Sequence, residues 1–146
     1  QDYATVRLTD TAEGVVLQYI ECKDALKHTE EQVLKTIPME SAPLPMPYSN
    51  TYMSTTVPPV APLAYAATDV FIKMEVKPRE RKGNVPDLTA KFFYSLDGKK
   101  WTELTEKPFV GKPGKWIGAK FGLYCNRFAS KNDSGWVQVD WIEVTK

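Results

Sequence analysis

The order of apolar and polar residues along the chain predicts a series of β-strands. Residues 4–8 alternate small or apolar side chains with polar ones, which is typical of a strand with one buried face. Residues 15–22 predict a second strand that is partly apolar on both faces. The turn-forming residues between them, at positions 9–14, indicate a hairpin with a longer loop.

Residues 23–37 allow two interpretations. The run Thr29-Glu30-Glu31-Gln32 fits a helix capping box, and the apolar pair that follows it would lie on one helical face. Residues 32–37, however, also alternate loosely in the manner of a strand. We favour a loop followed by a strand.

The clearest alternation lies in the second half of the chain. Residues 69–76 predict a strand with Val70, Ile72, Met74 and Val76 on one face and Phe71, Lys73 and Glu75 on the other. Residues 88–96 predict the next strand, and residues 101–104 predict its return. Asp97-Gly98 between them predicts a type I′ hairpin turn, because both residue types tolerate positive φ.

Two further strands, at residues 116–125 and 136–144, complete the pattern, with a polar loop between them. The total is about seven strands with regularly spaced turns and no long helix, so the expected fold class is an all-β antiparallel β-sandwich. Trp116 and Trp141 lie in the last two strands. We expect both to anchor the core, since burial of a tryptophan removes about 200 Å² from water.

A proline-rich segment at about 38–62 interrupts the strand pattern. It holds seven of the eleven prolines, and proline lacks the backbone N–H that a central strand or a helix needs. Its tyrosines and methionines argue against disorder. We therefore expect one β-sandwich domain over residues 1–146, with an ordered insertion packed over its surface.

Composition and charge narrow the possible partners. The chain has 146 residues, 42% of them hydrophobic and 25% charged, which is ordinary for one globular domain. Its net charge of +1 creates no basic field to attract nucleic acid. No stretch approaches the roughly 18 apolar residues of a membrane span. We expect neither nucleic acid nor a membrane as partner.

Few residues are candidates for chemistry. His28 lies in a charged loop and has no neighbouring nucleophile pattern, so we interpret it as solvated. Cys22 and Cys125 are either a disulfide, which suits an exported protein, or two buried thiols. Asp140 is a candidate calcium ligand, although a role as acceptor for backbone N–H groups is the favoured interpretation. We predict no catalytic residue and no cofactor.

Three blocks in the last third of the chain carry a family resemblance. In amino-acid sequence and in order, they resemble the C-terminal β-sandwich module of glycoside hydrolase family 43, the β-xylosidases and α-L-arabinofuranosidases. The three blocks are residues 92–101, 114–125 and 135–144. The resemblance implies a concanavalin A-like jelly roll. It also implies a non-catalytic accessory role beside a catalytic β-propeller, whose motifs have no match here. The implied role is to brace that propeller and shape its pocket for xylan- or arabinan-type plant glycans.

The resemblance also suggests site residues. In family 43 a loop of the sandwich leans on the propeller and can lend an aromatic side chain to the rim of the substrate pocket. Phe128, in the polar loop, is the first candidate for that role, and Trp116 and Trp136 are the others. Packing of Phe128 into the core is the competing interpretation.

The resemblance further implies an incomplete sandwich. In the family module, earlier strands normally precede the stretch that matches residues 2–8. We therefore expect that the first strands are lacking, that another chain supplies them, or that a variant fold manages without them. Open sheet edges near residues 4–8 would then promote a homo-oligomer. We expect an exported, periplasmic or extracellular, rather than a cytoplasmic location.

One alternative function is a free-standing carbohydrate-binding or protein-interaction module. An exposed row of aromatic side chains on a sheet face would favour it. An enzyme of concanavalin A-like fold ranks last, because the chain has no Glu-x-Asp-x-x-Glu arrangement on one strand.

Overall fold

The computed structural model confirms an all-β antiparallel fold. It describes residues 1–11, 13–43, 64–66, 69–79, 87–111, 120–124 and 139–145. In these ranges the elements are β1 (Tyr3–Thr11), β2 (Gly14–Cys22), a 3₁₀ helix (Ala25–Lys27), β3 (Gln32–Pro38), β4 (Ser41–Pro43), β5 (Ala64–Ala66), β6 (Phe71–Arg79), β7 (Asp87–Ser95), β8 (Thr102–Glu103) and β9 (Phe109–Val110). In the described ranges, no helix is long and apolar enough to cross a membrane.

The first sheet has the strand order β1-β2-β3. The ladder between β1 and β2 continues until Thr11 pairs with Gly14, so that only residues 12 and 13 connect the strands. The prediction of a longer loop at residues 9–14 is therefore wrong. The Thr11 hydroxyl donates to the Gly14 carbonyl at 2.8 Å, and Gly14 has φ of 115°, a conformation that glycine adopts without strain.

Residues 23–38 form a loop and a strand, as favoured from the sequence. The loop contains the three-residue 3₁₀ helix, and β3 follows it. Tyr19 pairs with Lys35 while the next residue, Ile20, pairs with Val33, so Leu34 is the extra residue of a β-bulge. The alternation of β3 is loose in the sequence because this bulge shifts its register.

The second sheet places β7 at its centre. β6 pairs with one edge of β7, and β8 and β9 pair with the other. Ile72 lies opposite Tyr94 and Met74 lies opposite Phe92. This register confirms the two faces predicted for residues 70–76, since alternate side chains of a strand point to opposite sides.

The turn after β7 is not type I′. β7 ends at Ser95 and β8 begins at Thr102, so six residues connect the strands. Gly98 has φ of 67°, but Asp97 is not among the described residues with positive φ. The Asp97 carboxylate instead accepts hydrogen bonds from neighbouring groups of the loop. The hairpin was correctly predicted, but side-chain hydrogen bonds decide its turn geometry.

We expect Asp97→Ala to lower the melting temperature at neutral pH. The backbone N–H groups of Lys100 and Lys99 donate to this carboxylate at 2.7 and 2.8 Å, and with the Ser95 hydroxyl they lower the pKa of Asp97. A lowered pKa stabilises the fold above the unfolded value of about 4, and this stability is lost as pH falls through the folded value.

Thermal unfolding at a series of pH values from about 6 to 2 checks this expectation. The difference in melting temperature between wild type and Asp97→Ala should shrink towards the acid end. Asp97→Asn is the control, because it keeps the acceptor oxygen but does not titrate. A difference that stays constant over the series would contradict the role of the carboxylate charge.

The two sheets enclose one core between β2 and β7. Its buried members are Val15, Leu17, Tyr19, Met39, Phe92 and Leu104. The rings of Tyr19 and Phe92 meet with their centroids 5.4 Å apart. The backbone N–H of Met39 donates to Val15 and ties the end of β3 to β2. This packing of one sheet on another confirms the sandwich.

The start of the proline-rich segment is ordered in a small sheet. β4 pairs with β5, and β5 lies against β2. Pro43 ends β4, which agrees with the confinement of proline to short or edge strands. Residues 44–62 of this segment lie outside the described residues.

The last two predicted strands are not confirmed. The described residues 120–124 and 139–145 have no strand, and their apolar side chains are mostly exposed. Trp141 is 60% exposed, so its predicted role as a core anchor is wrong. The alternating pattern in these segments would suit a strand, but a strand also needs a partner edge and a surface to pack on. Trp116 lies outside the described residues.

β1 forms one edge of the first sheet in the described part of the chain. Its Ala4 and Val6 pack against the core, whereas Leu8 is exposed. The Thr5 hydroxyl hydrogen-bonds the Tyr124 hydroxyl at 2.9 Å. The exposed apolar surface at residues 4–8 is thus smaller than the sequence predicted. The homo-oligomer through this edge stays a prediction.

Candidate functional site

The outer face of the second sheet collects aromatic and charged side chains. Because Phe92 points into the core, the residues next to it on β7, Lys91 and Phe93, point away from the core. The strand register then places Lys73 opposite Phe93, Glu75 opposite Lys91, and Lys77 opposite Thr89 on this side. We call this surface, with Phe71, Trp101 and Glu103, the outer face.

Aromatic rings occupy one end of the outer face. The Lys73 ammonium lies 4.5 Å from the ring centroid of Phe93 and 5.1 Å from that of Trp101, within reach of favourable cation–π interactions. Trp101 is 36% exposed. The Trp141 ring lies 6.5 Å from that of Phe71, centroid to centroid, and extends the aromatic end.

Two ion pairs continue the outer face from the aromatic end. Lys73 contacts Glu75 at 3.0 Å, and Lys91 contacts Glu103 at 2.8 Å, measured from Nζ to Oε1. The hydrogen bond from Lys73 lowers the pKa of Glu75, and the one from Lys91 lowers the pKa of Glu103. Both carboxylates are therefore ionised at neutral pH.

A shallow cleft opens beside these ion pairs. It has a volume of about 100 Å³ and is lined by Glu75, Lys77, Thr89, Lys91 and Pro108. The lysines can donate hydrogen bonds into it, and the Glu75 carboxylate can accept them. The Thr89 hydroxyl already donates to the Lys77 carbonyl at 3.2 Å and can only accept. Most of the exposed lining of the cleft is apolar, and its lysines and Glu75 add charged groups.

The lowered pKa values limit what these carboxylates can do. A glycosidase needs a carboxylic acid whose pKa is raised so that it can donate a proton. Glu75 and Glu103 are shifted in the opposite direction by their lysines. They are suited to act as fixed negative charges and hydrogen-bond acceptors.

The first sheet carries a separate polar network. The Tyr3 hydroxyl donates to Glu31 at 2.8 Å, and the Arg7 guanidinium contacts the other oxygen of that carboxylate at 2.9 Å. The hydrogen bond to Glu31 raises the pKa of Tyr3 well above its usual value. This network joins β1 to the loop before β3, and we interpret it as structural.

The metal and thiol candidates have these positions. In the described ranges, no three His, Cys, Asp or Glu side chains are close enough to hold a metal ion. Asp140 is exposed, and its role as a calcium ligand stays a prediction. Cys22 is a buried free thiol that donates to the Thr29 carbonyl, and Cys125 lies outside the described residues. His28 is exposed in its loop, as interpreted from the sequence.

The aromatic candidates from the sequence cannot be placed on this surface. Phe128, Trp116 and Trp136 all lie outside the described residues, and their roles stay predictions. Sequence reasoning missed the pairing of Lys73 with Trp101. The available signal was the alternation of β6, which places Lys73 and Phe71 on the face opposite the apolar one.

We expect Trp141→Ala to change the free energy of unfolding by less than about 1 kcal/mol, since exposed side chains contribute little to stability. Urea denaturation of the full chain measures this change. The result that would contradict the placement is a loss of about 3 kcal/mol or more, the size found for buried aromatic residues.

The described strands form an antiparallel β-sandwich. The family comparison is specific: residues 1–145 match the model of the β-xylosidase C-terminal concanavalin A-like domain. The chain belongs to this family, which confirms the resemblance noted from its last third. Searches of curated proteins and of solved structures each found no match.

Proposed function

We propose that this chain braces the catalytic propeller of a family 43 glycosidase and shapes its substrate pocket. The parent enzyme would hydrolyse xylan- or arabinan-type glycans, and the sandwich itself would contribute no catalytic residue. The observation that carries the proposal is the family match over residues 1–145 to a domain described as C-terminal in β-xylosidases.

The inner side of β6 supports a protein contact. Ile72, Met74 and Val76, with Leu88 of β7, form what we call the β6 apolar row. They point to the core side of the sheet, but each is more than one-third exposed. β6 is also an edge strand in the described part of the chain. Adjacent exposed apolar side chains at an open sheet edge are typical of an interaction surface.

The coding sequence upstream of Gln1 offers the first test. We expect it to encode a five-bladed propeller with the catalytic carboxylates of family 43. Any other upstream sequence would count against the proposal.

Binding to a propeller offers the second test. A family 43 propeller produced without its own sandwich should bind the full chain in gel filtration and gain thermal stability. The full chain alone should not hydrolyse aryl xylosides or aryl arabinofuranosides. Turnover by the purified chain, or no complex with the propeller, would contradict the proposal.

Matched variants locate the contact. Ile72→Asp introduces a charge into the β6 apolar row and should prevent the complex. Leu26→Asp introduces the same charge on the exposed 3₁₀ helix and should leave the complex intact. Equal effects of the two variants would show that the β6 apolar row is not the contact.

A carbohydrate-binding module is the second candidate. The observation that favours it is the outer face, where Trp101 exposes aromatic surface beside Lys73 and Trp141 exposes aromatic surface beside Phe71. Aromatic rings of this kind can pack against the C–H faces of sugars.

A further inference from the structure

We propose that the outer face binds a glycan chain that carries acidic sugars. Its aromatic end would stack on pyranose rings, and its lysine-lined cleft would hold the carboxylate of a uronic acid substituent. This site is distinct from the β6 apolar row.

The aromatic end has the surface that stacking needs. Trp101 is partly exposed and Trp141 is largely exposed. The Lys73 ammonium lies over the Trp101 ring, and the Phe71 ring lies beside that of Trp141. Trp101 therefore presents apolar area next to an ammonium that donates hydrogen bonds. A sugar offers the matching combination, since its C–H groups are apolar and its hydroxyl groups are polar.

Charge favours an acidic ligand. The outer face carries three lysines, at positions 73, 77 and 91, against the carboxylates of Glu75 and Glu103. Lys73 and Lys91 are each paired with one of these carboxylates, and the charge of Lys77 also stabilises ionised Glu75. Lys77 and Lys91 also line the cleft. Among the described side chains of the outer face the lysines thus outnumber the carboxylates by one, and this excess of positive charge favours a ligand carboxylate in the cleft.

The two sides of the second sheet suit different ligands. Protein interfaces are depleted in lysine and glutamate at their centres, which fits the β6 apolar row and not the outer face. Because alternate residues of β6 supply the two surfaces, both can be occupied at once. The distance from Phe71 to Lys77 along the strand is about 20 Å, enough for a glycan of several sugars. Nucleic acid fits less well, since the net charge of the chain is only +1.

Calorimetric titration of the full chain with xylohexaose and with a xylo-oligosaccharide that carries glucuronic acid tests the site. We expect both to bind, the acidic ligand about tenfold more tightly, and this preference to weaken in high salt. Lys77→Gln should abolish the preference. Lys27→Gln, which removes an equivalent charge from the 3₁₀ helix, should retain it.

Trp101→Ala should weaken binding of both ligands by about tenfold, and Trp101→Phe should retain most of the affinity because it keeps a ring. Circular dichroism and thermal unfolding confirm that each variant is folded. These titrations use the chain without a propeller, so their failure would leave the bracing proposal standing.

Four results would overturn the site. The first is that neither oligosaccharide binds, and the second is that Lys77→Gln and Lys27→Gln have the same affinities for both. The third is that a single-stranded oligonucleotide binds more tightly than the acidic glycan. The fourth is that the chain sediments as a dimer and that Trp101→Ala dissociates this dimer. The last result would identify the outer face as a contact between two copies of the chain.

Discussion

Phe92→Ala is expected to destabilise the chain by about 3–5 kcal/mol, the range found when a buried aromatic side chain is truncated. Phe92 is buried at the centre of β7 and packs against Tyr19 across the two sheets. Its removal leaves a cavity at the junction of the sheets, and the surrounding strands cannot close it without breaking their ladders.

Urea denaturation measures the loss for Phe92→Ala. Phe121→Ala is the control, because Phe121 is the same residue type but is mostly exposed. Its expected loss is below about 1 kcal/mol. Since a domain of this kind has a total stability of about 5–15 kcal/mol, Phe92→Ala should leave it marginal or unfolded. Similar losses for the two variants would contradict the position of the core.

Leu17→Ala is expected to cost about 2–5 kcal/mol. Leu17 is completely buried, lies in the central strand of the first sheet and contributes to the same core as Phe92. Its cross-strand partner Leu8 supplies a matched control, because it is the same residue type in the neighbouring strand but is 41% exposed.

Chemical denaturation of both leucine variants distinguishes burial from strand pairing. Leu8→Ala should lose about 1 kcal/mol or less, since it forms the same ladder but leaves little cavity. If Leu8→Ala were as destabilising as Leu17→Ala, pairing within the sheet rather than packing between the sheets would dominate the stability of this strand pair.

The second sheet connects stability with the proposed functions. Its inner side contributes Phe92 to the core and continues into the β6 apolar row, which we propose meets the propeller. Its outer face carries Lys73, Glu75 and Trp101, which we propose meet a glycan. A sheet that is buried on one side only can serve both purposes, because alternate residues along one strand lie in different environments.

The sequence by itself determined the all-β class and the position of most strands. Strand alternation is a local property with a period of two, so the faces of β6 could be assigned from residues 70–76 alone. The family motifs of the last third were also readable without coordinates, and the family match confirmed them. The turn-forming residues also predicted where the hairpins lie. They did not predict the turn type at Asp97 or the length of the loop between β1 and β2.

Only the tertiary structure decided which apolar residues are covered. Trp141 lies in a pattern that suits a buried strand, yet its ring is largely exposed beside Phe71. Likewise, nothing local in the sequence places the Lys73 ammonium near both Phe93 and Trp101. Alternation specifies which side chains share a face, but burial depends on which surfaces meet, and those contacts join residues far apart in the chain.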